Sequence, residues 1–371
     1  MLPDHVHEPY MRRCFELALN GSGSVSPNPM VGCVVVVEGR VVGEGYHVRH
    51  GEAHAEVNAI AAVTDERLLR RATLYVNLEP CSHFGRTSPC CDLIISKRIP
   101  RVVVGCRDPH RKVAGQGIAK LRAAGVEVVE GILEAEAEQL NEAFITSHRN
   151  GRPFVALKLA QTLDGRIATV SGESKWITGQ ASRTEVHRLR SRYDAVLTSA
   201  DTVIADDCRL TVRRCAGRNP LRVVLDRRLR IPATAGIVDG SAETLVFTSL
   251  SMQNTEKTRS FEEKGVTVLG VPEQECGLDL AAVLHALHQR NVLSVLVEGG
   301  GRLASSFVAA ALLDKLYVFI APMLFGGDAL SSFASFGVKK PEQALQLDFE
   351  PPAFFGRDML LKAYIQVGEV Q

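Results

Sequence analysis

The chain has 371 residues, 46% hydrophobic and 23% charged, a balance that suits soluble domains with real cores and a length that two of them fill. Its formal net charge of +1 argues against bulk nucleic-acid or membrane-surface binding, which rests on a basic face. Small anions held by a few local arginines remain open. No apolar run reaches the length of a membrane span, the one near Val31–Val37 being strand-sized and ending at Glu38. The N-terminal MLPDHVHEPYMRRCFELALN has no apolar h-region, so no secretory signal is expected. Nine cysteines without such a signal point to a reduced, cytoplasmic chain, where clustered cysteines are first to be read as metal ligands.

In chain order, MVGCVVVVEGRVVGEGYHV reads as two β-branched strands joined at Glu38–Gly39. AHAEVNAIAAV follows as a helix, ATLYVNLEP as a strand halted by Pro80, CCDLIISKRI as a helix and RVVVGCRDP as a buried strand. GIAKLRAAGVEVVEG is a helix then a strand, turning at Gly125. This alternation predicts a mainly parallel sheet covered on both faces. Asn150–Gly151 and Pro153 punctuate the chain, which puts a domain boundary at about 147–152, dividing residues 1–148 from 149–371. The second part alternates again, through AVLTSADTVIADD, LRVVLD, TLVFTSL, GVTVLGV, a helix over Leu280–Gln289, VLSVLVEGGGRLASSFVAAAL and KLYVFIAP.

Three pieces of the first part belong together. AHAEV supplies His54 and Glu56, and PCSHFGRTSPC supplies Cys81 and Cys90. One imidazole and two thiolates make a three-ligand zinc set that leaves the fourth tetrahedral position for water. Zinc lowers the pKa of that water toward 7, so hydroxide is available at neutral pH. Glu56, two residues past the histidine on the first helical turn, can reach the water and move its proton. The order H-x-E then P-C…C is that of the zinc nucleobase deaminases. A closed structural site would need a fourth ligand, for which His83 or Cys91 could serve, and would leave Glu56 unexplained. Eight residues separate the two cysteines, more than the usual two. Within them, His83 and Arg86 suit a sugar phosphate, or are ordinary solvated loop residues. Asn28, in SPNPMVG, carries an amide able to read a pyrimidine edge, or simply makes an Asn-Pro turn.

NPMVGCVVV, GEGYH, HAEVNAI, LYVNLEPCSHFGRTSPCCDLII and RVVVGCRDP…VAGQGIAKLRAAGVEV resemble the deaminase half of the bifunctional riboflavin-biosynthesis deaminase/reductase family. LNEAFITSHRNGRPFVALKLAQTLDGRIAT, SGESKWITG, LTSADTVIADDCRLTVR and VEGGGRLASSF are similar to its reductase half. The resemblance runs from about Tyr10 to Phe325 in the family's order. It departs where the family reads Asp-Pro-Asn-Pro and this chain has Asp108-Pro109-His110-Arg111, and where Ser88-Pro89 replaces Pro-Pro. The resemblance implies an α/β chain: a cytidine-deaminase-like α/β/α sandwich followed by a dihydrofolate-reductase-like α/β domain. It implies one zinc ion and NADPH as cofactors, and a small phosphorylated pyrimidine as substrate, first deaminated and then reduced from ribosyl to ribityl. Charge and cysteine usage together give a cytoplasmic enzyme with neither nucleic acid nor membrane as partner, and a homo-oligomer is expected.

In the second part the residues alone say less. Gly299–Gly301 lies between a strand and a helix, where glycines admit a phosphate to a helix N-terminus, or make a tight turn. It is not the G-x-G-x-x-G pattern. The resemblance assigns cofactor contacts to Ala160, Trp176, Thr202, Asp206 and the loop Gly300, Gly301, Arg302, Leu303, Ala304, Ser305 and Ser306. It assigns substrate contacts to Ser174, Arg190, Leu210, Arg213 and Glu298. Arg190 and Arg213 suit a substrate phosphate, though HRLRSR by itself reads as a solvated helix face. Trp176, the only tryptophan, can wall a pocket or belong to a minor core. Asp206 can stand near the reacting centre or be a turn acid, and Lys158 and Asp164 flank the cofactor strand. Two other readings compete: a nucleic-acid deaminase with an unrelated second domain, and a zinc-stabilised binding module whose sites are degenerate.

Overall fold

The computed structural model describes residues 4–84, 88–109, 114–275 and 277–366. The chain divides at Gly151 into two compact units. Among the described residues no helix is long and apolar enough to cross a membrane.

The first unit opens with α1 (Asp4–Leu19) and the hairpin β1 (Gly32–Val37) and β2 (Arg40–Tyr46). α2 (Ala55–Ala61), β3 (Thr73–Leu78), α3 (Cys90–Ser96), β4 (Arg101–Cys106), α4 (Gln116–Ala123) and β5 (Glu127–Glu130) follow, then α5 (Glu134–Leu140) and α6 (Glu142–Asn150). Glu38 and Gly39 both take positive φ, 50° and 77°, as a two-residue turn between twisted strands requires. The strand order is β2-β1-β3-β4-β5. β1 is antiparallel to both neighbours, while β3, β4 and β5 run parallel. This sheet is therefore mixed, not mainly parallel: the α2 crossover joins β2 to β3 across β1, which the hairpin has already turned the other way.

Alternation along the strands divides the core. Val34, Val36, Tyr75 and Val103 pack against Met11, Cys14 and Leu17 of α1. Cys33, Val35, Leu74, Val76, Val102 and Val104 face Ala55 and Ala59 of α2, Ile94 of α3 and Leu121 of α4. Helices on both faces make the α/β/α sandwich. The element order read from the sequence had no α1, because its acids, histidines and Pro9 mask a narrow buried stripe of Met11, Cys14 and Ala18. Helix α2 comes down directly on β2: a Cβ at Gly45 would lie 2.4 Å from the Ala59 nitrogen.

The second unit begins with β6 (Phe154–Thr162), β7 (Arg166–Ala168), α7 (Gln180–Arg192), β8 (Ala195–Ser199), α8 (Ala200–Asp206), β9 (Leu221–Leu225) and β10 (Thr244–Ser249). It continues with α9 (Glu256–Glu262), β11 (Thr267–Val271), the short pair β12 (Glu273–Gln274) and β13 (Gly277–Leu278), α10 (Leu280–His288), β14 (Ser294–Glu298), α11 (Gly301–Ala309) and β15 (Lys315–Ala321). β16 (Leu330–Ser331) pairs with β7, and β17 (Leu347–Phe349), β18 (Ala353–Phe355) and β19 (Asp358–Ile365) close the unit. The main sheet runs β11-β10-β9-β8-β14-β6-β15-β19-β17, with β18 beside β19. It is parallel from β11 to β15 and antiparallel beyond. β14 enters late in the chain yet slots between β6 and β8, and crevices of this kind at carboxyl strand ends hold ligands in open α/β sheets. Val155, Leu157, Val295 and Val297 pack under Val283 and Leu287 of α10 and Phe307 of α11. The period of two therefore turns Lys158, Ala160, Thr198 and Glu298 to the opposite face.

Candidate active sites

His54 is the N-cap of α2 and Cys90 the first residue of α3, with Cys81 just past the end of β3. The His54 Nδ1 lies 3.6 Å from Cys81 Sγ and 3.3 Å from Cys90 Sγ. All three ligand atoms fall within 4.8 Å of one another, and this is the one such group of three among the described residues. Tetrahedral zinc, with Zn–S of about 2.3 Å and Zn–N of about 2.0 Å, sets sulfur and nitrogen about 3.5 Å apart, so the donor set fits that metal. The Cys90 thiol hydrogen-bonds Cys81 and, with the Cys90 amide 3.3 Å away, favours thiolate there. A cation held here by His54, Cys81 and Cys90 would keep both sulfurs as thiolates.

Glu56 is 3% exposed. Burial, and then the neighbouring Cys81 charge, push its carboxyl above the usual range. Cys91 faces away from the cluster, its thiol directed to the carbonyls of Pro80 and Gly117 at 3.3 and 3.5 Å. His83 is exposed. Neither of the two residues nominated as a fourth ligand joins the group. Arg86 and the His110–Arg111 departure lie outside the described residues.

Asn28 does reach the site's surroundings. Its Nδ2 is 3.0 Å from His47 Nε2, and His47 Nδ1 is 3.0 Å from the Ala53 carbonyl. That carbonyl only accepts, so Nδ1 carries the hydrogen, Nε2 accepts from Asn28, and the Asn28 carbonyl is left for a ligand. The His47 ring stands edge-on to His54, centroids 5.5 Å apart. Sequence reasoning passed over His47, and also Glu79. The buried Glu79 carboxylate accepts backbone N–H groups from Asp108 (3.1 Å), Gly115 (2.9 Å), Gly117 (2.8 Å) and Ile118 (3.3 Å). It ties the loop before α4 to the strand end that presents Cys81. No local pattern marks either residue, since their partners are 6 to 39 positions away.

In the second unit Glu298 stands beside Lys158 in register and forms a two-pronged ion pair with Arg190, at 2.6 and 2.9 Å. Arg190 Nη1 also donates to the Thr211 carbonyl at 3.2 Å. Arg190 is thus not on a solvated helix face: packing turns it inward, and two edges of its fork are already engaged. Burial opposes charge on Glu298, but Arg190 and then Lys158 outweigh it and hold the carboxyl down to about 2. Burial, and then Arg190, lower the Lys158 ammonium, against the pull of Glu298. Arg213 Nη1 donates to Thr211 Oγ1 at 2.6 Å. Leu210 is buried with φ of 53°, so its backbone is what a left-handed bend offers to a ligand.

Thr202 sits beside the glycine loop, its Oγ1 3.5 Å from the position a Gly299 Cβ would take. Gly300 caps α11, and a Cβ there would meet nothing within 4 Å, whereas one at Gly301 would lie 2.7 Å from the Ser331 carbonyl. Gly300 therefore borders open space at a helix N-terminus, a cradle suited to a dinucleotide phosphate. The Leu303 and Ala304 side chains pack into the core, and the Ala304 N–H bonds the Gly300 carbonyl. Ser305 donates to the Ala334 carbonyl and Ser306 to that of Arg302. The helical period thus narrows the expected loop to the free N–H groups of Gly301, Arg302 and Leu303. Lys175 Nζ lies 3.9 Å from Asp206 Oδ1, which brings the segment holding Ser174 and Trp176 against the end of α8. Trp176 is 65% exposed. The Arg183 guanidinium lies 4.5 Å over its ring, and both line a cavity of about 440 Å³. Ala160 lies on β6, paired with Phe319.

Comparison with known proteins matches residues 153–361 to the RibD C-terminal domain and residues 4–106 to the cytidine and deoxycytidylate deaminase zinc-binding region. The riboflavin biosynthesis protein RibD of Escherichia coli is 41% identical over 95% of this chain and 98% of that protein. The chain belongs to the RibD family. RibD of Synechocystis is 42% identical over 98% of this chain and 97% of its own length. Among solved structures, Acinetobacter baumannii RibD superposes with a TM-score of 0.89 at 37% identity, over 98% of this chain and all of that one. A Thermotoga maritima diaminohydroxyphosphoribosylaminopyrimidine deaminase/5-amino-6-(5-phosphoribosylamino)uracil reductase gives 0.87 at 39% identity, over 98% and 99%. The family resemblance and the two-part α/β fold expected from the sequence both hold. Like other RibD proteins, this chain is a bifunctional deaminase and reductase of riboflavin biosynthesis.

Proposed function

We propose that residues 1–148 form a zinc-dependent deaminase acting on 2,5-diamino-6-ribosylamino-4-pyrimidinone 5-phosphate, and that residues 149–371 reduce the ribosyl group of the product to ribityl with NADPH. The observation that carries the first half is the convergence of His54, Cys81 and Cys90 with a buried carboxyl, Glu56, two residues beyond the histidine. Zinc held by those three donors would supply a water acidified to near neutrality. Glu56 would carry one proton of that water to the ring nitrogen as the hydroxide oxygen bonds the amino-bearing carbon, then move the remaining hydroxyl proton to the amino group as the C–N bond breaks, so that ammonia leaves and a carbonyl remains. Its upward-shifted pKa suits a group that must both accept and release a proton. The Asn28 carbonyl, oriented by the hydrogen bond from its amide to His47, would accept from the pyrimidine's exocyclic amine.

For the reductase, the cradle at Gly300 and the N–H groups that follow support a cofactor phosphate, with Thr202 alongside. NADPH held there would supply a hydride to the anomeric carbon of the open, imine form. Glu298, Lys158 and the Thr211–Arg213 segment hold that substrate, and the lowered Lys158 ammonium suits it to release a proton as the imine nitrogen gains one. The eight described cysteines are all unpaired, in keeping with a cytoplasmic enzyme.

A coupled assay tests this reading. Purified protein with about one zinc per chain should release ammonia from the phosphorylated diaminopyrimidinone, then oxidise one NADPH per ammonia. Ammonia release without zinc, or NADPH oxidation that ignores the deaminated product, would sink the corresponding half.

A further inference from the structure

The loop that follows α8 is tied down at consecutive residues. Arg190 Nη1 donates to the Thr211 carbonyl at 3.2 Å, the Val212 N–H to Asn219 Oδ1 at 2.8 Å, and the Arg213 N–H to His187 Nδ1 at 3.0 Å. Just upstream the wholly buried Arg222 reaches the Arg209 carbonyl at 3.4 Å. His187 and Arg190 stand one turn apart on α7, so one helix face grips both ends of the Thr211–Arg213 segment. His187 is 6% exposed, and none of the chemistry assigned above uses it.

Only an imidazole with a bare Nδ1 can accept the Arg213 N–H. Burial first, then the charges of Arg190 and Arg213, with Arg214 adding to them and Glu298 opposing, hold the His187 pKa down to about 4. The ring is therefore neutral at any working pH, with its hydrogen on Nε2. A buried neutral histidine among three arginines is not a phosphate ligand in its own right. Its Nδ1 is committed to the backbone of Arg213.

We propose that His187 is a positioning residue of the reductase, whose Nδ1 fixes the Arg213 backbone so that the segment from Leu210 to Arg213 stands preformed for the phosphorylated substrate. This rests on the reading that Leu210 and Arg213 contact that substrate. Preforming a binding loop lowers the ordering cost of association, so its loss raises KM more than it lowers kcat.

The test uses the full chain with His187→Leu, His187→Asn and Arg213→Ala. His187→Leu leaves the part-buried Arg213 N–H without its acceptor, and KM for the deaminated substrate should rise about tenfold with kcat and the NADPH dissociation constant little changed. His187→Asn sets Oδ1 where Nδ1 was and should restore KM to within about twofold. A His187→Leu enzyme with native KM beside an Arg213→Ala enzyme with raised KM overturns the inference and leaves the substrate reading standing. An unchanged KM in Arg213→Ala overturns the substrate reading itself. Loss of NADPH affinity together with early melting in His187→Leu, or failure of His187→Asn to restore KM, assigns the histidine to fold maintenance and overturns the inference as well.

Discussion

At the scale of single residues, Glu56 and Glu298 show how one side-chain type serves two purposes through its surroundings. Both are buried. Burial first, and then the Cys81 charge, raise the Glu56 carboxyl above its ordinary range. Removing its proton-carrying ability while keeping its shape, as in Glu56→Gln, is expected to cut deamination by about 10²–10⁴-fold or more. NADPH-dependent reduction of the deaminated substrate should be intact, which parallel assays of the two steps check. Glu298 faces Arg190 and Lys158, and its pKa is held at about 2 against 4.5 for a free glutamate. A depressed carboxyl contributes stability that is fully present above its unfolded pKa and is lost as pH falls toward the folded one. Melting of the C-terminal unit should therefore show that contribution constant above about pH 5 and lose it between about pH 4.5 and 2. Glu298→Gln should remove this part of the slope and cost about 3–5 kcal/mol at neutral pH by leaving Arg190 buried without its partner, which chemical denaturation across pH would measure.

At the scale of elements, helix ends carry both sites. His54 caps α2 and Cys90 opens α3, while Gly300 caps α11. A helix start offers free N–H groups and a positive end, which favour a thiolate in one unit and a phosphate in the other. The two adjacent glycines of the second site separate binding from folding. Gly300→Ala adds a methyl that touches nothing in the protein, so melting temperature should hold while the NADPH dissociation constant rises about tenfold or more, read by fluorescence titration. Gly301→Ala drives a methyl to 2.7 Å from the Ser331 carbonyl, so melting temperature should fall along with affinity. Helix α1 is missing from the sequence reading because its buried stripe is narrow. Packing against β1 and β3 is what makes that helix regular.

At the scale of the whole molecule, the chain folds as two compact units, and each carries the residues assigned to one chemistry. Stripping the metal with a chelator should therefore abolish ammonia release and leave NADPH oxidation with the deaminated substrate unchanged. Readdition of zinc should restore the first activity, and parallel assays on one preparation decide the matter. A loss of both activities on chelation would mean that the metal supports the second unit too.

Much of this was legible in the sequence because its signals are local. The hairpin turn at Glu38–Gly39, the strands ended at Pro80 and Asp108, and the ligands His54, Cys81 and Cys90 all sit in short patterns whose chemistry permits few readings. Fold class followed from the alternation of strand and helix periods. The strand order did not, since nothing local says that β14 enters between β6 and β8 or that β1 opposes both its neighbours. Those placements decide which polar side chains meet. Arg190 looked solvated until Glu298, 108 residues on, was brought against it. Glu79, His47 and His187 carry no signature because each works on backbone atoms that only folding brings near. The sequence by itself determined which chemistry the chain carries, because ligands, glycines and helix starts are specified residue by residue. Tertiary structure alone decided which groups orient that chemistry, because hydrogen bonds to distant backbone depend on position in space and leave no pattern along the chain.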